Sequence, residues 1–404
     1  MREADDKATP AADDAPVILG DEPGSFARGV LTDRHPALIQ QVRDAFPCTP
    51  AQHRALDALL RSVTDGVIEP LAPDAHDRAQ WEVWGRDGAG GSRFGRSWFD
   101  VPFLWAESYF YRVLLDAMGY FGDGPWRGVD PFAPFKDAEL RGPAVDDELA
   151  ALDGLAGRPA DEQALALAHA SLWGNRADLG FRIASGAVAA DSGTDPRLVA
   201  DDGPLLWSLL PVGAAATVHL IADNAGRELI PDLVLLDHLL HTGRASRAVL
   251  HVKPYPYYVS DATMTDVIDG LRRLGAASGY AAGTGERLWA AMAGGRLTVR
   301  AHGFFRAPLP YSAMPDDLRR ELAGATVTLL KGDLNYRRLV GDRYWAPTSS
   351  FAGRTAYFPG PVAALRTLKS DVIVGLDART LEGLEASGKS WRTSGTHALV
   401  QARR

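Results

Sequence analysis

Residues 216–263 read ATVHLIADNAGRELIPDLVLLDHLLHTGRASRAVLHVKPYPYYVSDAT, and the punctuation of this stretch decides the architecture. An apolar run, Val218–Ala222, ends in Asp223 and Asn224. Gly226 follows, then a helix-length apolar run from Leu229 to Leu240. A second apolar run, Ala248–Val252, ends in Lys253-Pro254, and Asp261 closes the segment. Strand, polar tip, helix, strand, polar tip is the plan of an α/β protein whose site lies at the carboxyl ends of parallel strands.

Working outward, the alternation continues to the end of the sequence. Strands are expected at 216–222, 247–252, 296–300, 326–330 and 371–376. Helices are expected at 225–241, 262–274, 285–294, 315–323, 333–340 and 378–386. The sum is a mostly parallel, doubly wound, Rossmann-like sheet domain in three αβα layers over residues 201–404. Before about residue 205 no strand stands out. Helical patterns at 36–46, 50–67, 73–84, 98–119 and 159–176 predict an all-helical domain over residues 17–200. Thr49 as N-cap and Pro50 behind it mark one helix start. In the aromatic-rich stretch 98–119, Glu107 and Arg112 read as a buried ion pair. Residues 1–16, rich in Ala, Asp and Pro, read as a disordered tail.

Composition narrows the function classes. The net charge is −8, from 43 basic against 51 acidic residues, which argues against nucleic acid or an anionic membrane as main partner. The single cysteine, Cys48, excludes an intramolecular disulfide and a Cys-based zinc cluster. No apolar run reaches the ~18 residues of a transmembrane helix, and no signal-peptide pattern opens the sequence. The expectation is a soluble, cytoplasmic protein; net charge does not decide its substrate. Its oligomeric state is not legible.

The polar tips suggest chemistry. Asp223, Asn224 and Asp261 offer oxygens at adjacent strand ends, a set that suits a hard cation such as Mg²⁺ or Mn²⁺. Equally, Asp223 and Asn224 could simply cap the helix that follows. Glu228 lies one turn beyond Asn224, placed to hold a metal-bound water or touch substrate. A second tip, Lys331-Gly332-Asp333, follows the run Val327–Leu330, with Arg337 one turn further on. Cationic side chains at a helix N-terminus oppose its dipole unless an anion sits between them, which points to phosphate. A third basic stretch, Leu365–Asp371, contains Lys369. A divalent cation with basic tips suits phosphoryl chemistry.

These motifs resemble a known family. Asp-Asn-Ala-Gly-x-Glu-Leu (223–229), His-Val-Lys-Pro-Tyr-Pro (251–256), Val-Ser-Asp (259–261), Lys-Gly-Asp-Leu-Asn-Tyr-Arg (331–337) and Arg-Thr-Leu-Lys (366–369) are similar to those of the DUF89 family. The match is to its damage-control phosphatase/acidic-residue methyltransferase branch, which carries an RTxK motif. Leu-Trp-Gly-Asn (172–175) resembles its helical half. The resemblance implies a phosphatase of small phosphomonoesters, sugar phosphates such as fructose phosphates, using Mn²⁺, Mg²⁺, Co²⁺ or Ni²⁺. It implies Asp223, Asn224 and Asp261 as metal ligands, with Glu228 as a nearby acid. Asp333, Leu334, Asn335, Tyr336, Arg337 and Lys369 are implied as substrate contacts, and Lys331, Lys253 and Asn175 join them as candidates. Two other readings stand beside it: an S-adenosylmethionine-dependent carboxyl methyltransferase, and a non-catalytic metabolite-binding protein. Arg227 departs from the family pattern and could pair with Asp223 or reach substrate.

Overall fold

The computed structural model describes residues 15–87, 90–174, 197–388 and 390–404. Residues 1–14, most of the expected tail, and Asn175 lie outside them. Among the described residues, seven strands form one sheet in the order β1-β7-β6-β5-β2-β3-β4. They are β1 (Leu198–Asp201), β2 (Ala216–Ile221), β3 (Ala245–His251), β4 (Leu297–Arg300), β5 (Val327–Lys331), β6 (Val362–Thr367) and β7 (Ala398–Arg403). The strands from β6 through β4 run parallel; β7 is antiparallel to β6, and β1 follows β7.

The principal helices are α1 (His35–Ala45), α2 (Pro50–Asp65), α3 (Phe103–Met118), α4 (Ala160–Trp173), α5 (Leu229–His241), α6 (Met264–Gly275), α7 (Gly279–Ala293), α8 (Asp316–Ala323) and α9 (Gly332–Val340). The start of α2 has the reciprocal Thr49–Gln52 capping box that its sequence announces. Side chains alternate across the sheet. Val218, Leu220, Ala248 and Leu250 pack with α4, α5, α6 and α7 on one face. Ile221, Leu330, Val362 and Ala364 pack with α8, α9 and Phe304–Phe305 on the other. This is the expected mostly parallel sheet with helices on both sides and a helical N-terminal region. That region packs around its own aromatic core of Trp81, Trp105, Tyr109 and Phe110. It also reaches the sheet's core through Val30, Leu31 and Phe103.

Three expectations need correction. Residues 371–376 are not a strand: Val372, Ile373 and Val374 are buried, but in irregular chain. Their polar backbone is satisfied elsewhere, with Gly375 N donating to Ser349 O (2.7 Å) and Leu376 N to Pro347 O (2.9 Å). The ladder beside β5 is instead β6, and the basic stretch read as leading into a strand runs out of one. A strand does precede residue 205: β1 pairs with β7, which the sequence reading missed. Glu107 and Arg112 do not pair with each other. Arg112 binds Asp77 and Asp116, at 2.7 Å each, while Glu107 meets Arg337 and Tyr258, at 3.2 Å each. They are five positions apart, so they leave the helix on different faces. No described helix is long and apolar enough to cross a membrane.

Candidate active site

The two acidic tips are stitched together by backbone. Beyond the last ladder pair of β2 and β3, Ile221 with His251, the chain forms an isolated bridge between Asn224 and Asp261. Ala262 N donates to Asp223 O (2.9 Å), and Ala225 N to Ser260 O (2.6 Å). On the other side of β2, β5 pairs Leu330 with Ile221 and delivers Gly332 against Asp223. Gly332 has φ +82°, and a Cβ there would lie 1.7 Å from Asp223 Oδ2. Only glycine permits both the left-handed backbone and the close approach. The next strand, β6, delivers Arg366 and, just past its end, Lys369. Asp223, Asn224, Glu228, Lys331, Gly332 and Lys369 thus border one cleft of about 450 Å³.

Carboxylates crowd this cleft. Burial, then the charges of Glu228 and Asp261, push the Asp223 carboxyl up to about 8. Burial raises Asp261 as well, against the pull of Lys253. Lys253 Nζ is 4.0 Å from Asp261 Oδ1; it is 2% exposed and makes no hydrogen bond among the described residues. Burial lowers its pKa. Glu228 accepts from Asn224 Nδ2 (2.8 Å) and sits 3.6 Å from Lys369 Nζ. Burial works against the charge on Lys369, but Glu228, Asp223 and Asp333 outweigh it and raise its pKa. Its side chain is half-exposed, the one lysine of the three bordering or flanking the cleft that reaches solvent.

The second tip is less open than its residue types suggest. Asp333 Oδ1 accepts from Arg366 Nε (2.8 Å) and Ser370 Oγ (3.0 Å). Burial would raise its pKa, yet Arg366 and Arg337 hold it below the ordinary carboxylate value. Asn335 is fully buried, donating to Ala222 O (3.0 Å) and Lys331 O (2.8 Å) and accepting from Tyr311 (2.9 Å). It braces the strand end that carries Asp223. Tyr336 donates to Gln401 (2.9 Å) and lies under the Arg366 guanidinium. Arg337 forks onto Asp342 (2.7 and 3.0 Å) and holds Glu107. Leu334 packs with Leu104 and Tyr257. Lys331 is tied to Asp232 (2.9 Å) and Ser171 (2.7 Å). Arg227 pairs with Glu148 (2.6 Å), not with Asp223.

The structure therefore brings Asp223, Asn224, Glu228, Asp261 and Lys369 together, with Lys331 and Lys253 close by but engaged or enclosed. It gives the side chains of Asn335, Tyr336 and Arg337 partners inside the protein. Arg366 and Glu107 escaped assignment as site residues, though Arg366 heads the RTxK motif and Glu107 interrupts the aromatic-rich first half of its helix. The oxygens of Asp223, Asn224 and Asp261 could hold a hard divalent cation.

A mostly parallel α/β sheet with an acidic cleft at the carboxyl ends of its parallel strands defines the structural class. Comparison supplies the family. The sequence model of the damage-control phosphatase ARMT1-like domain matches residues 30–383. Damage-control phosphatase ARMT1 of Danio rerio is 30% identical, over 94% of this chain and 94% of its own length. The Bos taurus protein of the same name is 31% identical over 94% and 96%, and the Homo sapiens one 28% over 95% and 97%. A crystal structure of a DUF89 family protein from Pyrococcus horikoshii aligns with a TM-score of 0.49 at 15% identity, covering 93% of this chain and 97% of that one. The chain belongs to the damage-control phosphatase ARMT1-like family.

Proposed function

We propose that this chain is a divalent-metal-dependent phosphatase of small phosphorylated metabolites in the cytoplasm, with sugar phosphates such as fructose phosphates as the substrate class. One observation carries the reading: a half-buried carboxyl, Asp223, crowded by Asp261 and Glu228 while Lys369 closes the same cleft. Crowded carboxylates favour a bound cation as an alternative to a proton. The donors are oxygens only, as Mn²⁺ or Mg²⁺ prefers. The residues present thus fit the metal that the family resemblance implies, with Asp223, Asn224 and Asp261 as its ligands. When bound, it supplies charge neutralisation for phosphate oxygens and a more acidic water.

The protein's own groups then have distinct tasks. Lys369 meets the phosphate as a mobile cation, held in place by Glu228 until substrate arrives. Glu228, freed from that contact, is positioned to take a proton from the attacking water. The opening turn of α9 offers backbone N–H groups beside the cleft, where an anion is favoured. Asp333 fixes Arg366 and the turn carrying Lys369. Asn335, Arg337 and Lys331 hold the walls.

The test is a phosphate-release panel of sugar phosphates with Mn²⁺, Mg²⁺, Co²⁺ and Ni²⁺. Asp223→Ala, with wild-type circular dichroism, is expected to lose metal-dependent release by roughly 10²-fold or more. Wild-type turnover in that variant would overturn the site assignment.

A further inference from the structure

A second group of ligand-type side chains lies behind the cleft, on the sheet face covered by α8. His219, in β2, places Nδ1 2.9 Å from Nε2 of His251, the last residue of β3. Glu321, in α8, places Oε1 3.9 Å from the same Nε2. All three ligand atoms lie within 4.8 Å of one another. A zinc ion bound at about 2.0–2.2 Å by two imidazoles and a carboxylate needs ligand atoms roughly 3.3–3.6 Å apart, so a small parting of the two rings and a small approach of Glu321 would seat it.

Three independent details point the same way. Glu321 Oε2 is occupied by Arg300 (3.0 Å), which leaves Oε1 aimed at the histidines without a hydrogen bond. An outer partner that fixes a carboxylate in this way is usual around metal ligands. Thr328, on β5, sits directly beside His219 in the ladder; it is fully buried and its hydroxyl has no partner. Neighbours in register share a sheet face, so that oxygen belongs to the same enclosure. Finally, both rings are neutral at pH 7, the form that binds metal. Burial and then Arg300 and Arg247 lower His219 to about 4, and burial with His219, Arg300 and His302 lowers His251 to about 3.

We propose that His219, His251 and Glu321 form a second cation site, for a borderline metal such as Zn²⁺, separate from the acidic cleft. Its two nitrogens and one oxygen select against Mg²⁺, which takes oxygen donors. One proton now lies in the His219–His251 contact. On metal binding, the ring that carries it shifts it to its other nitrogen, so no proton is lost. The ion would rivet β2, β3 and α8 together, four positions before Asp223 and two before Lys253.

The experiment uses the full chain, stripped with chelator, in the Asp223→Ala/Asp261→Ala background so that the cleft cannot contribute. Dialysis against Zn²⁺ is expected to leave one equivalent per chain. Co²⁺ in its place should give visible absorption of a low-coordinate, nitrogen-containing site. Glu321→Gln, an isosteric change at a partly exposed residue, is expected to weaken binding roughly tenfold or more, and His251→Asn to abolish it. Zinc uptake that is absent, or equally tight in the Glu321→Gln variant, overturns the proposal. Should His251→Asn fail to fold, the Glu321→Gln affinity alone decides. Failure here leaves the cleft chemistry untouched, because the wild-type phosphate-release panel reads that separately.

Discussion

At the scale of single residues, Asp223 and Gly332 define each other. Asp223 occupies the space that any side chain at position 332 would need. Gly332→Ala is therefore expected to eliminate phosphate release while the protein still unfolds cooperatively. The strained backbone alone costs about 1–2 kcal/mol, and displacing the carboxylate would remove one of the proposed metal ligands. Calorimetric unfolding alongside turnover separates the two effects; a Gly332→Ala variant with normal turnover would show that Asp223 need not stay where it is. Arg227 gives a contrasting outcome. Its partner is Glu148, in a different helix, so Arg227→Ala should leave metal affinity at the cleft within about twofold, checked by Mn²⁺ titration.

At the scale of elements, the site depends on β6 and α9 being locked together. Arg366 is fully buried and its partner Asp333 lies at the start of α9. Arg366→Met leaves that carboxylate enclosed without its ion pair, so a loss of about 3–5 kcal/mol is expected, read as a lowered urea midpoint. A change below about 1 kcal/mol would mean that Ser370 alone suffices for Asp333. The same elements show what was legible in the sequence. β2, β3 and β5 were, because each is an apolar run broken by a polar tip, and β4 followed from the strand–helix alternation. So was the Asp223–Asn224–Asp261 set, because its spacing reflects two neighbouring strand ends. β6 was not: Val-Ala-Ala-Leu-Arg-Thr is short and weakly apolar, while the richer run Asp-Val-Ile-Val-Gly-Leu next to it attracted the assignment. That run is apolar because it is core, not because it is ladder. Side-chain direction was also hidden. The family resemblance implies Asn335 and Arg337 as substrate contacts; tertiary packing adds that Tyr311, Asp342 and Glu107 already engage their side chains. The His219–His251–Glu321 group was invisible because its members lie far apart in sequence.

At the scale of the whole molecule, the helical region and the sheet are joined through buried polar contacts as well as apolar ones. Glu107 of α3 reaches Arg337 of α9, and Tyr258, beside Asp261, binds the same carboxylate. Acid should loosen the helical region through a different group. His35 is buried and stacked on Phe110 with ring centroids 3.6 Å apart, and burial lowers its pKa to about 3. Above pH 6.5 the ring is neutral in folded and unfolded chains alike. As pH falls below 6.5, the unfolded chain gains a proton that the folded one refuses, so stability drops by about 1.4 kcal/mol per pH unit down to about pH 3. Between pH 6.5 and 5 this amounts to roughly 2 kcal/mol. Urea unfolding of wild type and His35→Phe at those two values should differ by that amount, and identical pH slopes would exclude the residue as the cause.

The position of β7 carries a consequence for how the molecule is made. β7 comes last in sequence, yet it lies between β1 and β6, pairing Ala398 with Leu198 and with Thr367. The strands that carry Asp223, Asp261 and Gly332 can associate among themselves while a ribosome is still extending the chain. β1 must wait, unpaired, for a partner that arrives 200 positions later (398 minus 198). Closing so long a loop is slow. Pulse-labelled hydrogen exchange during refolding should accordingly find amides of β2, β3 and β5 protected before those of β1. The acidic half of the cleft would then assemble first, and the wall behind Lys369 would be completed only when the final strand docks.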